Sequence, residues 1–244
     1  MPFITKNKPR PQPISDPLLD LARPEKGVDT ESFISKKELQ SLPPSPYLPY
    51  GTFFTTTAFS QLSKSYTRHC APTAMTNALC TLWNRQADVS SAASSAPGSE
   101  KASDPYPAPP AEIFEEVAHI GQSRLFYTNM DLFKRIGGSS VLLMDFYLRK
   151  VLRRFGFSHL AVKSRPVASR ASLLRELRAG RLLVLHLLFH PIYGSHEVVC
   201  YGIKAFPDAA GNLHPYLLLA DGWNASLRYL PLSGLRVFGY LSIG

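Results

Sequence analysis

From Arg181 onward the chain is a succession of short apolar runs, RLLVLHLLF, HEVVCYGIKAF, HPYLLLAD and LRYLPL, separated by segments containing Gly, Pro and Asn. Runs of this length, rich in branched and aromatic residues, read as strands. HLAVK, just after Gly156, reads the same way, and a small helix is expected over about 168–178. The chain ahead of Gly156 reads at helical period instead. Helices are predicted over about 72–84, 111–120 and 139–155, with one earlier strand in GTFFTTTAF (51–59). The third helix is expected to be the longest. It would start from a Gly-Gly-Ser-Ser segment suited to an N-cap and carry Leu142, Phe146 or Tyr147, Val151 and Phe155 on one face. Helices first and strands after imply an α+β fold, an N-terminal helical half packed on a mostly antiparallel C-terminal sheet.

Apolar residues make up 45% of the 244, enough to fill a real core. The organisation expected is one principal domain over 46–244, preceded by an extended Pro-rich arm (1–45) and interrupted by a Ser-, Ala- and Pro-rich insertion at about 88–110. No apolar stretch approaches the roughly 20 residues that span a bilayer, and MPFITKNKPRPQ has no signal-like apolar core. The chain is therefore expected to be soluble and unprocessed, without a membrane span. Cys70, Cys80 and Cys200 cannot all pair within one chain, and none has a zinc-ligand spacing, so a reducing, cytoplasmic setting is expected. Secretion by a route without a signal peptide stays open.

The net charge of +9 is concentrated. Residues 121–180 hold twelve Lys and Arg against three Asp and Glu, so the remainder of the chain nearly cancels. Arg149, Lys150, Arg153 and Arg154 fall on the polar side of the third helix, where a solvated face is the plain explanation and an acidic partner the sharper one. No DNA- or RNA-binding motif accompanies them, which disfavours nucleic acid.

Chemistry concentrates at Cys70, which precedes a helix whose first turn holds Ala71-Pro72-Thr73. Proline suits a first turn because the N–H it lacks would have no helical partner. A sulfur at a helix N-terminus faces unbonded N–H groups, which favour thiolate and can also donate to an oxyanion. The matching base is His196, which opens the strand HEVVCYGI after a turn-like segment and shares a face with Val198 and Cys200 by alternation. Asp221, at the end of YLLLAD, is the candidate to orient the imidazole. Asn77 reads as a helix-to-loop hydrogen bond, and Cys80 and Cys200 read as core. His186 and His190 share a strand face, but the companions a zinc site needs are missing, so no metal or cofactor is expected.

These blocks resemble the papain-superfamily cysteine peptidases, in the branch of the bacteriocin-processing, double-glycine-leader peptidases. CAPTAMTNAL matches the Cys-x-Pro-Thr-Ala and Asn-x-Leu pattern of that nucleophile helix, HEVVCYGI its His-x-Val-Val-x-x-Gly strand and ADGW its Asp-containing strand end, in the same order. The resemblance implies a papain-like fold, a Cys70–His196 pair with Asp221 as orienter, and hydrolysis of an amide bond in a peptide or protein through a thioester. It also implies an upstream glutamine as oxyanion donor. The nearest is Gln61, nine residues before Cys70 and farther than the family's spacing, with Tyr66 as a possible substitute. Two alternatives stand beside the peptidase: a papain-fold deamidase or acyltransferase, and a catalytically silent module binding through its basic helix.

Overall fold

In the computed structural model the described residues are 54–55, 62, 65–66, 68–93, 106–132, 136–190, 193–207, 212–223, 228–232 and 237–244. In chain order they form α1 (Cys70–Ala93), α2 (Pro110–Ser123), β1 (Tyr127–Leu132), β2 (Ile136–Ser139), a 3-10 turn (Val141–Leu143), α3 (Met144–Arg154), β3 (Val162–Arg165) and α4 (Arg170–Arg178). The remaining strands are β4 (Leu182–His190), β5 (Gly194–Pro207), β6 (Leu213–Ala220), β7 (Arg228–Pro231) and β8 (Val237–Ile243). The fold is α+β: helices packed on a six-stranded antiparallel sheet of order β3-β8-β4-β5-β6-β7. The arm 1–45, the core of the strand expected at 51–59 apart from Phe54 and Thr55, and Gln61 all lie outside the described residues.

The sheet is covered on both faces, and alternation sorts its side chains between two cores. Leu182, Val184, Val199, Tyr201, Leu241 and Ile243 pack with the apolar faces of α1, α2 and α3. Leu183, Leu185, Val198, Cys200, Leu217 and Tyr240 point the other way and pack against Leu173, Leu174 and Leu177 of α4. A strand buried on both faces has no need of polar residues between its apolar ones, which is why β4 reads as the near-continuous LLVLHLL. Ser169 caps α4, accepting a hydrogen bond from the Ser172 N–H at 3.1 Å. The buried Glu176 ties that helix to the sheet through Arg181 at 2.7 Å and the Ser242 hydroxyl at 2.9 Å.

Three sequence expectations change. The helix predicted over 139–155 is shorter, because Ser139 ends the strand Ile136–Ser139 that pairs with β1 and Val141–Leu143 form a 3-10 turn, so α-helix begins only at Met144. α3 spans 11 residues and buries Met144, Tyr147, Leu148, Val151 and Leu152, which leaves Leu142 and Phe146 outside. The longest helix among the described residues is α1, at 24 residues. It continues through Ala93 into what reads as the start of the low-complexity insertion, whose small Ala and Ser residues tolerate helix. Finally, β8 has no counterpart among the strands expected from sequence, although it lies inside the sheet between β3 and β4.

Asn77 makes the helix-to-loop contact expected of it. Its Oδ1 accepts the Phe54 N–H at 3.0 Å, and its Nδ2 donates to the Phe54 carbonyl at 3.2 Å, both buried. Asn77→Ala removes both of these buried hydrogen bonds and is expected to cost about 2 kcal/mol, read as a lower denaturation midpoint at unchanged slope.

Candidate active site

Every residue of α1 from Ala71 to Leu82 is buried, so the helix cannot shift along the sheet without opening the core. Its first residue, Cys70, is half-buried and lines a cavity of about 520 Å³. The first bond of the helix is donated by the Thr73 N–H to the His69 carbonyl at 3.0 Å. Pro72 has no N–H. The N–H groups of Cys70 and Ala71 therefore remain without helical acceptors, and both favour the thiolate, as does the N–H of Glu197. Burial outweighs them. It pushes the Cys70 thiol up to about 12, with the Glu197 carboxylate acting in the same direction. Burial takes the core thiols Cys80 and Cys200 to about 12 as well. What distinguishes Cys70 is thus its position at the cavity rather than its acidity.

The opposite wall is built by the start of β5 and the turn after β6. His196 lines the cavity and bonds through Nε2 to the main-chain carbonyl of Asp221 at 2.6 Å. A carbonyl only accepts, so Nε2 carries the proton and Nδ1 keeps its lone pair. The ring lies parallel to Tyr193, with centroids 5.7 Å apart and an interplanar angle of 1°, and 4.6 Å from Trp223. Burial holds the His196 pKa below its ordinary 6.5, partly offset by the Asp221 carbonyl and carboxylate, and His69 pushes the same way as burial. His196 is therefore a neutral, oriented base at pH 7.

Asp221 orients the ring through its backbone instead of its carboxylate. Its Oδ1 accepts the Trp223 N–H at 2.9 Å, and its Oδ2 accepts the Tyr193 hydroxyl at 3.4 Å and lies 3.7 Å from Arg228 Nε. The side chain thereby fixes the turn that presents the carbonyl. Gly222, inside that turn, has φ of 72°, and an added Cβ would come within 2.8 Å of Thr73 Cγ2. The turn and the helix N-terminus are consequently in direct contact.

The structure thus brings Cys70, His196 and Asp221 to one place, but no hydrogen bond joins Cys70 to His196 among the described residues. Alternation explains the offset. Val198 and Cys200, on the His196 face, belong to the core away from α1, whereas Val199 and Tyr201, on the Glu197 face, belong to the core beneath it. Glu197 is accordingly the β5 side chain on the Cys70 face of the sheet. It is buried and shares a 2.5 Å hydrogen bond with His186 Nδ1. Burial raises its pKa, offset by His186.

His69 and Glu197 line the cavity and were missed from sequence. Their only signal is adjacency, each being next in the chain to a residue singled out. His69 Nδ1 lies 2.9 Å from Thr73 Oγ1, and burial lowers its pKa. Tyr66 packs edge-on against Phe114 at 5.1 Å, and it is not among the residues lining the cavity. His190 Nδ1 accepts the Tyr193 N–H at 3.2 Å. A register shift between Leu187 and His190 separates it from the face of His186.

Comparison with known proteins finds no matching family model, no matching curated sequence and no matching solved structure.

A thiol held near 12 is almost fully protonated at neutral pH. Iodoacetamide labelling of Cys70 in the folded protein at pH 7 is expected to be slower than that of free cysteine by about a hundredfold or more, measured by peptide mapping. Labelling as fast as free cysteine would contradict the burial. Gly222→Ala combines a strained φ with a clash on Thr73, and is expected to cost about 1–3 kcal/mol of stability in a thermal or denaturant melt.

Proposed function

We propose that this chain is a cysteine hydrolase of papain-like architecture that cleaves an amide bond of a peptide or protein. The observation that carries the reading is the convergence, on one 520 Å³ cavity, of a thiol at a helix N-terminus and an imidazole fixed as the Nε2–H tautomer. Helices packed on an antiparallel sheet, and the chain order Cys70, His196, Asp221, support the papain-like comparison.

Burial and the Glu197 carboxylate favour the thiol over the thiolate, so in the proposed route Cys70 attacks as a thiol and is deprotonated as the bond forms. Substrate binding brings the scissile carbonyl between Sγ and the His196 ring. As the S–C bond forms, the Sγ proton passes to His196 Nδ1, and the carbonyl oxygen becomes an oxyanion facing the N–H groups of Cys70 and Ala71. Collapse breaks the C–N bond, and Nδ1 returns its proton to the leaving amine. Water then attacks the thioester, giving a proton to Nδ1, and as the Sγ–C bond breaks to release the acid Nδ1 returns that proton to Sγ, restoring the thiol and the neutral base. The Asp221 carbonyl holds Nε2–H throughout and stabilises the transient imidazolium. Gln61 is the proposed further oxyanion donor.

The same machinery serves a deamidase or an acyltransferase, with a side-chain amide as substrate or an amine in place of water. A silent binding module is the second reading. It is favoured by the high thiol pKa and by the lack of a Cys70–His196 hydrogen bond among the described residues. The three unpaired cysteines fit a reducing compartment, and none of the helices among the described residues is long and apolar enough to cross a membrane.

Incubation with a proteome-derived peptide library, read by mass spectrometry, separates these readings. New termini that disappear in both Cys70→Ala and His196→Ala are expected, with a loss of about a hundredfold or more in each. A deamidation mass shift without chain cleavage would assign the deamidase instead. No product and no covalent adduct with a peptidyl aldehyde would leave only the binding module. Protonating Nδ1 removes the base, and the His196 pKa lies below 6.5, so the acid limb of kcat/KM is expected below pH 6.5.

A further inference from the structure

The 3-10 turn and α3 display a stripe that the core does not explain. Leu142 is 83% exposed and Phe146 57% exposed, while their neighbours Met144, Tyr147 and Leu148 are fully buried. Lys150 and Arg153 continue the stripe at the next helical positions, spaced four and three residues on. Both are exposed, and neither side chain has a hydrogen-bond or ion-pair partner among the described residues. Their neighbours are engaged: Arg154 bonds Glu116 at 2.8 Å, and Arg149 donates to the Val162 carbonyl.

The position of the stripe gives it meaning. Val141, which immediately precedes Leu142, lines the cavity that holds Cys70 and His196. Leu142 is therefore adjacent in the chain to the cavity wall, and Phe146, Lys150 and Arg153 follow it on α3. A solvated basic face would account for Lys150 and Arg153 but leaves two large apolar side chains in water beside an open cavity. An anionic partner matches the charge, since α3 carries Arg149, Lys150, Arg153 and Arg154 against the single acid Asp145.

We propose that this stripe docks the substrate of the site described above, and that the substrate is an acidic peptide segment with apolar residues next to the scissile bond. The inference rests on the hydrolase reading for what happens in the cavity, but the docking surface is separately testable. At about 1.5 Å rise per helical residue, Lys150 and Arg153 lie about 12–16 Å from Leu142. An extended chain covers that distance in about four to five residues. The chemistry recognised is thus one or two Leu- or Phe-like side chains at Leu142 and Phe146, with Asp or Glu four or five positions farther from the cleaved amide.

The test uses full-length Cys70→Ala protein and fluorescein-labelled synthetic peptides, with binding read by anisotropy. Two decapeptides carry a Leu-Phe pair followed or preceded by four Glu, to cover both chain directions, and control peptides replace Glu by Lys. At least one acidic peptide is expected to bind, more weakly as salt is raised. Affinity should drop about tenfold in Lys150→Glu/Arg153→Glu and again in Leu142→Ser/Phe146→Ser. All four positions are exposed, and an unchanged melting curve checks that the fold is intact. Equal binding of the Lys controls, or binding that ignores both double variants, overturns the proposal. It is also overturned if the stripe variants instead abolish binding to phosphatidylserine vesicles while no acidic peptide binds, or abolish a concentration-dependent self-association. Peptide that docks on the stripe but is not cut by the wild-type chain preserves the surface and rejects the hydrolase. Cleavage whose KM ignores both double variants does the reverse.

Discussion

The first three turns of α1 are buried on every side, and most other features of the molecule follow from how that burial is satisfied. Apolar residues meet α2 and the sheet, but Thr73, Thr76, Asn77 and Thr81 go inside as well and must find partners there. Thr76 and Thr81 donate to carbonyls one turn back, at 2.9 and 2.7 Å, Thr73 meets His69, and Asn77 holds the main chain at Phe54. With each polar group committed, the helix has one position on the sheet. Its N-terminus is carried to the end of the sheet where β4 leads into β5, beside Leu188 and Ser195, and the turn at Gly222 closes against Thr73.

That placement creates a tension between acidity and access. The helix N-terminus offers N–H groups to the Cys70 sulfur, yet the packing that positions them removes water and sets Glu197 nearby. Desolvation wins, because a buried thiolate loses hydration that a few oriented N–H groups replace only in part. Under the proposed function the consequence is a resting thiol that becomes nucleophilic only as its proton leaves. The tautomer of His196, set by a backbone carbonyl, suits that task. The carbonyl orients the ring, and burial keeps Nδ1 unprotonated although the Asp221 carbonyl and carboxylate both pull the pKa upward.

Much of this was legible one segment at a time. β4, β5 and β6 were readable from apolar runs and flanking turn residues, and Asn77 from its position two turns into the nucleophile helix. The misreadings share a cause. Leu142 and Phe146 have helical spacing, but periodicity does not say whether a face has anything to pack against, and the core took the neighbouring face. The Gly-Gly-Ser-Ser segment suits an N-cap equally well as a strand, and pairing with β1 decided between them. β8 gains its place from neighbours on both sides, which local pattern does not reveal.

By itself the sequence determined the α+β class, the elements bearing Cys70 and His196, and the alternation that sends consecutive β5 residues to opposite faces. These depend on periods of 3.6 and 2 residues, which are properties of a local stretch. Only the tertiary structure decided that His196 is held by the main chain of Asp221, that Glu197 and His69 share its cavity, and that an apolar and basic stripe starts next in the chain to the cavity wall. Those relations depend on strand register and helix placement, and register is set by the packing of side chains far apart in the chain.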